Sequence, residues 1–170
     1  LDLKKIEADF ITIDGSLLHA PQGTGALYIR KDLTLSPLIA GGSEQASLRG
    51  GAPNVAALMA LAEAAKEILQ NRDFFNTETS RLRRKFEKEL CKSIENSFVL
   101  FANSERIPQT TTICFPGVSS DALLYRLNRR GVFATFGGNQ YQTLTSILRA
   151  CGAPKQSLNA SLSFSLSRYT

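Results

Sequence analysis

Residues 8–32, ADFITIDGSLLHAPQGTGALYIRKD, decide how the rest of the chain is read. DFITID (9–14) alternates weakly between apolar and polar residues, as a half-buried strand does. GALYIR (25–30) reads as a second strand, entered through the glycines of Gly23-Thr24-Gly25. Between them lies a tight polar loop that looks built for chemistry. Its centre is nevertheless Leu17-Leu18, two aliphatic side chains that carry no proton, charge or amine.

Moving outward, residues 36–54 (SPLIAGGSEQASLRGGAPN) hold two glycine pairs and two prolines. They read as a long irregular loop, a type that is usually functional or mobile. Pro53 then opens an Ala- and Leu-rich helix over NVAALMALAEAAKEIL. The stretch NRDFFN (71–76) is expected to break it, and a second amphipathic helix is predicted over about 77–95. There Leu82, Phe86, Leu90 and Ile94 recur every fourth residue, giving an apolar stripe and a solvated basic face.

The second half predicts strands at 97–102 and 110–115, and an N-cap at Ser119-Ser120-Asp121. A helix stopping at Gly131, a strand over VFATF, a helix closed by Gly152 and a last strand over ASLSFSLS follow. The order β–β–α–β–α–β is that of a compact α+β domain. The domain division expected is 1–72 and 73–170.

The 170 residues are 43% hydrophobic, enough for a real core. No run approaches a membrane span. The charged, amphipathic N-terminus is unlike a secretory signal, and its start beside a strand without methionine reads as the edge of a longer chain. Three widely spaced cysteines (Cys91, Cys114, Cys151) without a CxxC pair point to a reducing, cytoplasmic setting, with no disulfide or zinc site. Cys114 and Cys151 are expected to be small buried residues. The lone His19 argues against a metal cluster. The net charge of +5 is modest, and no aromatics interleave with the cations, so neither nucleic acid nor membrane is an expected partner.

The opening stretch resembles the cofactor-lysine segment of the cysteine desulfurases, in the class V aminotransferases (fold type I, pyridoxal-phosphate dependent). That segment reads roughly D-x-x-x-x-S-x-H-K-x-x-G-P-x-G-x-G-A-L-Y-x-R. AGGSEQASLRGGAPN (40–54) is similar to the family's G-G-G-Q-E-x-x-x-R-x-G-T-x-N. RLNRRGVFATFGG, ILRACG and SLSFSLSRYT resemble its small-domain strand, helix and final strand. The resemblance implies an α/β fold: residues 1–72 as the later part of the large, cofactor-binding domain, and 73–170 as the small α+β domain.

The resemblance also assigns positions. The lysine that forms the cofactor imine falls on Leu17, and the neighbouring histidine on Ser16. The phosphate-binding serine falls on Asp14, where a carboxylate repels phosphate. The threonine that reaches a neighbouring subunit's phosphate falls on Ala52, and the substrate-gripping arginine on Ser163. The loop carrying the sulfur-accepting cysteine corresponds to GGNQYQ (137–142), with Gln140 nearest and no cysteine in it. Arg49 matches the family and is read as a loop anchor rather than an anion contact, because a buried arginine without a partner is costly.

His19 is read as structural; Asp14, Ser16 and His19 sit too close on one turn to be taken for a triad. No catalytic residue is therefore expected. The implied protein is a cysteine-desulfurase-like pseudoenzyme, without covalent cofactor, acting as an interaction or dimerisation module. It would pair with itself or an active relative through residues 41–60, since the family's Gly-rich loop and long helix lie at its dimer interface. A divergent enzyme binding pyridoxal phosphate non-covalently is the alternative. Helices such as 53–70 would normally pack on a sheet mostly lacking here, so either a fuller version of the chain supplies that sheet or an apolar face is exposed and self-associates.

Overall fold

The computed structural model describes residues 5–137 and 142–170. The chain divides into two compact units, Leu1–Arg72 and Asp73–Thr170.

In the first unit, β1 (Phe10–Asp14) pairs antiparallel with β2 (Gly25–Ile29). The register runs from Phe10 opposite Ile29 to Asp14 opposite Gly25, so Ile11 and Ile13 share the better-buried face. One turn of 3-10 helix, Gly15–Leu18, leaves β1 directly. Gly15 is required at this point by close approach. A Cβ there would strike the Thr24 hydroxyl, lie 2.8 Å from the Thr24 carbonyl oxygen and 3.2 Å from Leu61 Cδ1. Residues 36–54 are irregular, apart from a bridge between Ile39 and Arg49 and a tight turn at Glu44–Ser47 in which Gln45, Ala46 and Ser47 take left-handed backbone.

Helix α1 runs unbroken from Val55 to Ser93, residues 55–72 in the first unit and 73–93 in the second. The break expected at NRDFFN does not occur. Those residues lose only a few tenths of a kcal/mol each in helix propensity, and neither Gly nor Pro is among them. The Asn71 side chain donates to the Glu67 carbonyl at 3.0 Å. Phe75 is half-buried beneath the Arg168 guanidinium, 5.7 Å from the ring centre.

The second unit is a three-stranded antiparallel sheet in the order β3 (Phe98–Val99), β4 (Thr110–Cys114), β5 (Ser161–Ser165). One face carries Ile113, Phe115, Leu162 and Phe164. It is covered by Phe86 and Leu90 of α1 and by Leu123, Leu124 and Leu127 of α2 (Ser120–Asn128). On the other face, Cys114 packs with Leu100, Ala160 and the buried Leu144 and Leu148 of α3 (Leu144–Ala150). Gly152, at φ 73°, closes α3 by donating to Arg149 O, and Ala153 donates to Leu148 O.

Three expectations need correcting here. The strand at 97–102 shrinks to two residues, because Phe101 turns to φ 53° and ends the extended run. VFATF meets the sheet only at Thr135, which exchanges two backbone hydrogen bonds with Ser163. The N-cap expected at Ser119-Ser120-Asp121 falls on Ser119, without a side-chain bond, and the Ser120 hydroxyl donates to the Asn159 carbonyl. Cys114 is buried as expected, but Cys151 ends α3 in the open.

The two units differ sharply in core. Among the described residues of the first, Ala64 is the one buried apolar side chain, and even it keeps 8% exposure. Leu38 there is 96% exposed, and Ile39, Val55, Leu58, Met59 and Leu69 are also open to solvent. No helix among the described residues is long and apolar enough to cross a membrane.

Candidate functional site: a turn and a glycine-rich loop

Asp14 ends β1 in an extended conformation (φ −87°, ψ 121°), and its carboxylate accepts from Ser16 N at 2.9 Å. This is the standard N-cap geometry, and it satisfies one of the turn's free N–H groups. His19 closes the turn in the left-handed region (φ 61°), donating its backbone N–H to Ser16 O at 3.1 Å; Ala20 N reaches Gly15 O at 2.9 Å. Leu17 projects from the crest and is 79% exposed. Asp14, Ser16 and His19 are exposed as well.

Beside this turn, a cleft of about 320 Å³ is lined by Gln22, Gly23, Thr24, Arg49, Asn54 and Leu58, among others. It brings the GTG segment together with the Gly-rich loop. Arg49 is exposed here, not buried, and its Nη1 donates to the Gly50 carbonyl at 3.2 Å. The desolvation cost expected of a buried arginine therefore does not arise. Ala52 lies exposed in the same loop. Thr24 was not singled out from sequence. Its hydroxyl donates to Pro21 O at 2.6 Å, a local bond that ties the loop and that the T-x-x-back-to-Pro spacing could have suggested.

Ser163 belongs to the second unit. It sits in the middle of β5 opposite Thr112, on a half-buried face of hydroxyl side chains where Thr110 Oγ1 and Ser165 Oγ lie 3.2 Å apart. A hydroxyl there can accept or donate one hydrogen bond but cannot pair with a carboxylate as a guanidinium does. Gln140 lies outside the described residues. Cys114 is buried; burial raises its thiol pKa, against a smaller opposing effect of the Ser161 hydroxyl, so it is held as a thiol. No group of three or more His, Cys, Asp or Glu among the described residues could hold a metal ion.

The donor set on the turn does not fit an imine-held pyridoxal phosphate. Position 17 offers no amine, and Asp14 presents a carboxylate already engaged with the turn's N–H where a dianionic phosphate would need donors.

One charged cluster in the second unit escaped the sequence reading. The Glu87 carboxylate meets Arg106 Nη1 at 2.8 Å and Arg83 Nε at 3.6 Å; Arg83 Nη1 donates to the Ile107 carbonyl at 2.7 Å. Arg83 is thus buried rather than on the solvated face of its helix. The i,i+4 spacing of Arg83 and Glu87 inside the apolar stripe was the available signal.

Comparison with solved structures places this architecture. A NifS-like protein superposes with a TM-score of 0.87 at 24% identity, over all of this chain and 44% of that one. A NifS-like protein from Rickettsia africae gives 0.86 at 26% identity, over all of this chain and 45% of that one. The fold class is therefore a partial α/β domain of the pyridoxal-phosphate-dependent fold type I.

The sequence narrows it further: residues 1–169 match the family described as Aminotransferase class-V, and the chain belongs to that family. A cysteine desulfurase from a Nostoc species is 36% identical over 174 residues, covering all of this chain and 43% of the relative. The cysteine desulfurase NifS of Azotobacter vinelandii is 33% identical over 173 residues, again covering all of this chain and 43% of the relative. The chain thus spans less than half the length of these relatives.

Proposed function

We propose that this chain is a cysteine-desulfurase-like protein without desulfurase activity, serving as an interaction module. The observation that supports this is the crest of the turn: Leu17, which the resemblance sets at the family's lysine position, is four-fifths exposed and without an amine. Losses at Ser163 and Gln140 point the same way, since the first removes the carboxylate-gripping cation and the second the acceptor thiol. A cytoplasmic setting goes with this reading.

The interaction half rests on the first unit. It leaves Val55, Leu58 and Met59 of α1 exposed, with Leu38 and Ile39 of the preceding loop, and almost no buried core of its own. Apolar surface on that scale favours a partner. The partner expected is a second copy or an active relative, engaged through residues 41–60.

The exposed Arg49 and the adjoining cleft favour a second reading, in which pyridoxal phosphate binds non-covalently to an altered enzyme. Titration with pyridoxal phosphate separates the two, following absorbance, melting temperature and borohydride-trapped adduct. The inactive reading expects no adduct and no thermal shift. A shift without adduct would favour the second reading, and a covalent adduct would overturn both. Sedimentation at high micromolar concentration, alone and with an active relative, tests the pairing; a monomer in both cases would refute it.

A further inference from the structure

The formal charge is unevenly shared between the two units. Residues 1–72 hold seven Lys and Arg against eight Asp and Glu, whereas residues 73–170 hold thirteen against seven. The whole positive excess, +6 against −1, lies in the second unit. Several of its charges are spent internally: Arg83 and Arg106 on Glu87, and Arg81 on Glu78.

Six of the remaining ten cations fall in two stripes. On α1, Arg84, Lys88 and Lys92 recur every fourth residue, about 200° around the helix from the core residues Phe86 and Leu90. On α2 and its end, Arg126, Arg129 and Arg130 stand away from Leu123, Leu124 and Leu127, beside the exposed Tyr125. Both helices cover the same sheet face through one apolar cluster, so both stripes look outward on the same side of the unit. None of these six cations forms an ion pair among the described residues.

We infer that this two-helix face docks an acidic segment of a partner protein. Six unpaired cations on one side create a positive potential that attracts and orients an anionic chain. The flexible stems of Lys88 and Lys92 can also cover apolar atoms of such a partner. A protein is favoured over nucleic acid because acids interrupt the stripe: Glu89 lies between Lys88 and Lys92, and Lys85 reaches it at 3.9 Å. Phosphate backbones meet repulsion there, whereas a polypeptide can set its own cations opposite. Apart from Tyr125, the face offers no aromatic platform for bases. This surface is independent of the Leu17 turn and of residues 41–60.

The test is fluorescence anisotropy on the whole chain at 50, 150 and 300 mM salt. One probe is a labelled twelve-residue Asp/Glu-rich peptide and the other a single-stranded oligonucleotide of equal charge. Two double reversals change the net charge identically: Arg84→Glu with Lys88→Glu on the face, and Lys31→Glu with Lys66→Glu in the first unit. The inference expects peptide binding that falls with salt, weakens at least tenfold in the first variant and less than twofold in the second. Should the α1 variant lose its circular dichroism, Arg126→Glu with Arg129→Glu supplies the same reading. Equal losses in face and control variants, no peptide binding at 50 mM salt, or tighter binding to the oligonucleotide would each overturn it.

Discussion

Replacing Glu87 by alanine strikes a place where the fold encloses opposite charges. The carboxylate is 12% exposed and is shared by Arg106 at 2.8 Å and Arg83 at 3.6 Å. Without it, two guanidinium groups, 10% and 17% exposed, face each other with no acid between them. Removing one member of a fully buried pair costs about 3–5 kcal/mol; water still reaches this one, so we expect about 2–4 kcal/mol.

Acid dependence gives a second signature. Burial alone would raise the Glu87 pKa. The Arg106 hydrogen bond, the nearby Thr111 hydroxyl and the charges of Arg106 and Arg83 outweigh it, so the net shift is downward. The Thr111 hydroxyl favours the ionised carboxylate by turning its O–H toward it, though the contact falls short of a hydrogen bond of good geometry. A depressed native pKa contributes stability that is fully present above the unfolded value near 4.5. That contribution is lost as pH falls through the native value.

Urea unfolding followed by circular dichroism should therefore show a roughly constant gap between wild type and Glu87→Ala from pH 6 to 8. The gap should shrink toward pH 3. With a urea slope of about 1–3 kcal/mol/M, the neutral-pH midpoint should fall by roughly 1–2 M. A loss under about 1 kcal/mol at pH 7, or a gap unchanged at pH 3, would refute the reasoning.

Gly15→Ala should destabilise by about 1–3 kcal/mol through overpacking against Thr24 and Leu61, measured by thermal melts. Adding Thr24→Ala should restore only part of this, because the Thr24 carbonyl remains in the way; full rescue would show the hydroxyl to be the sole obstacle. Ile113→Ala, at a side chain with no solvent contact, should cost about 2–5 kcal/mol in urea titration, with less than 1 kcal/mol counting against the core described. Thiol titration of the native protein should give one fast group, abolished by Cys151→Ser, with Cys114 silent until unfolding. Fast labelling of Cys114 would contradict its burial.

Much of the fold was legible because its signals are local. The alternation of DFITID and the GTG entry to GALYIR specify the β1–β2 hairpin, and Gly152 marks the end of α3 through a backbone conformation most side chains avoid. The misreadings were of tertiary origin. NRDFFN looks like a break until Phe75 finds Arg168, far along the chain. SFVLFA has strand composition throughout, yet its pairing with β4 stops at Leu100, whose N–H donates to the Thr112 carbonyl just before Phe101 turns away. At the candidate site, the sequence named Asp14, Ser16 and Leu17, and all three fall on the one turn. It missed that Asp14 caps that turn, and that Arg49 would stand open rather than enclosed, since neither burial nor a two-residue backbone contact leaves a periodic trace.

The unbroken α1 has a further consequence. Its 39 residues are shared between the two units, and the two ends live under different constraints. Near residues 86–90 the helix is clamped against a filled sheet, while around residues 55–59 its apolar side chains meet water. A single run of hydrogen bonds therefore spans a gradient of opening free energies, from near zero at its start toward that of the second unit at its end. Amide protons along one continuous helix should exchange over a wide range of rates, rising in protection from Val55 to Leu90. A contact that covered the first turns would register as slowed exchange there, on a helix whose shape had not changed.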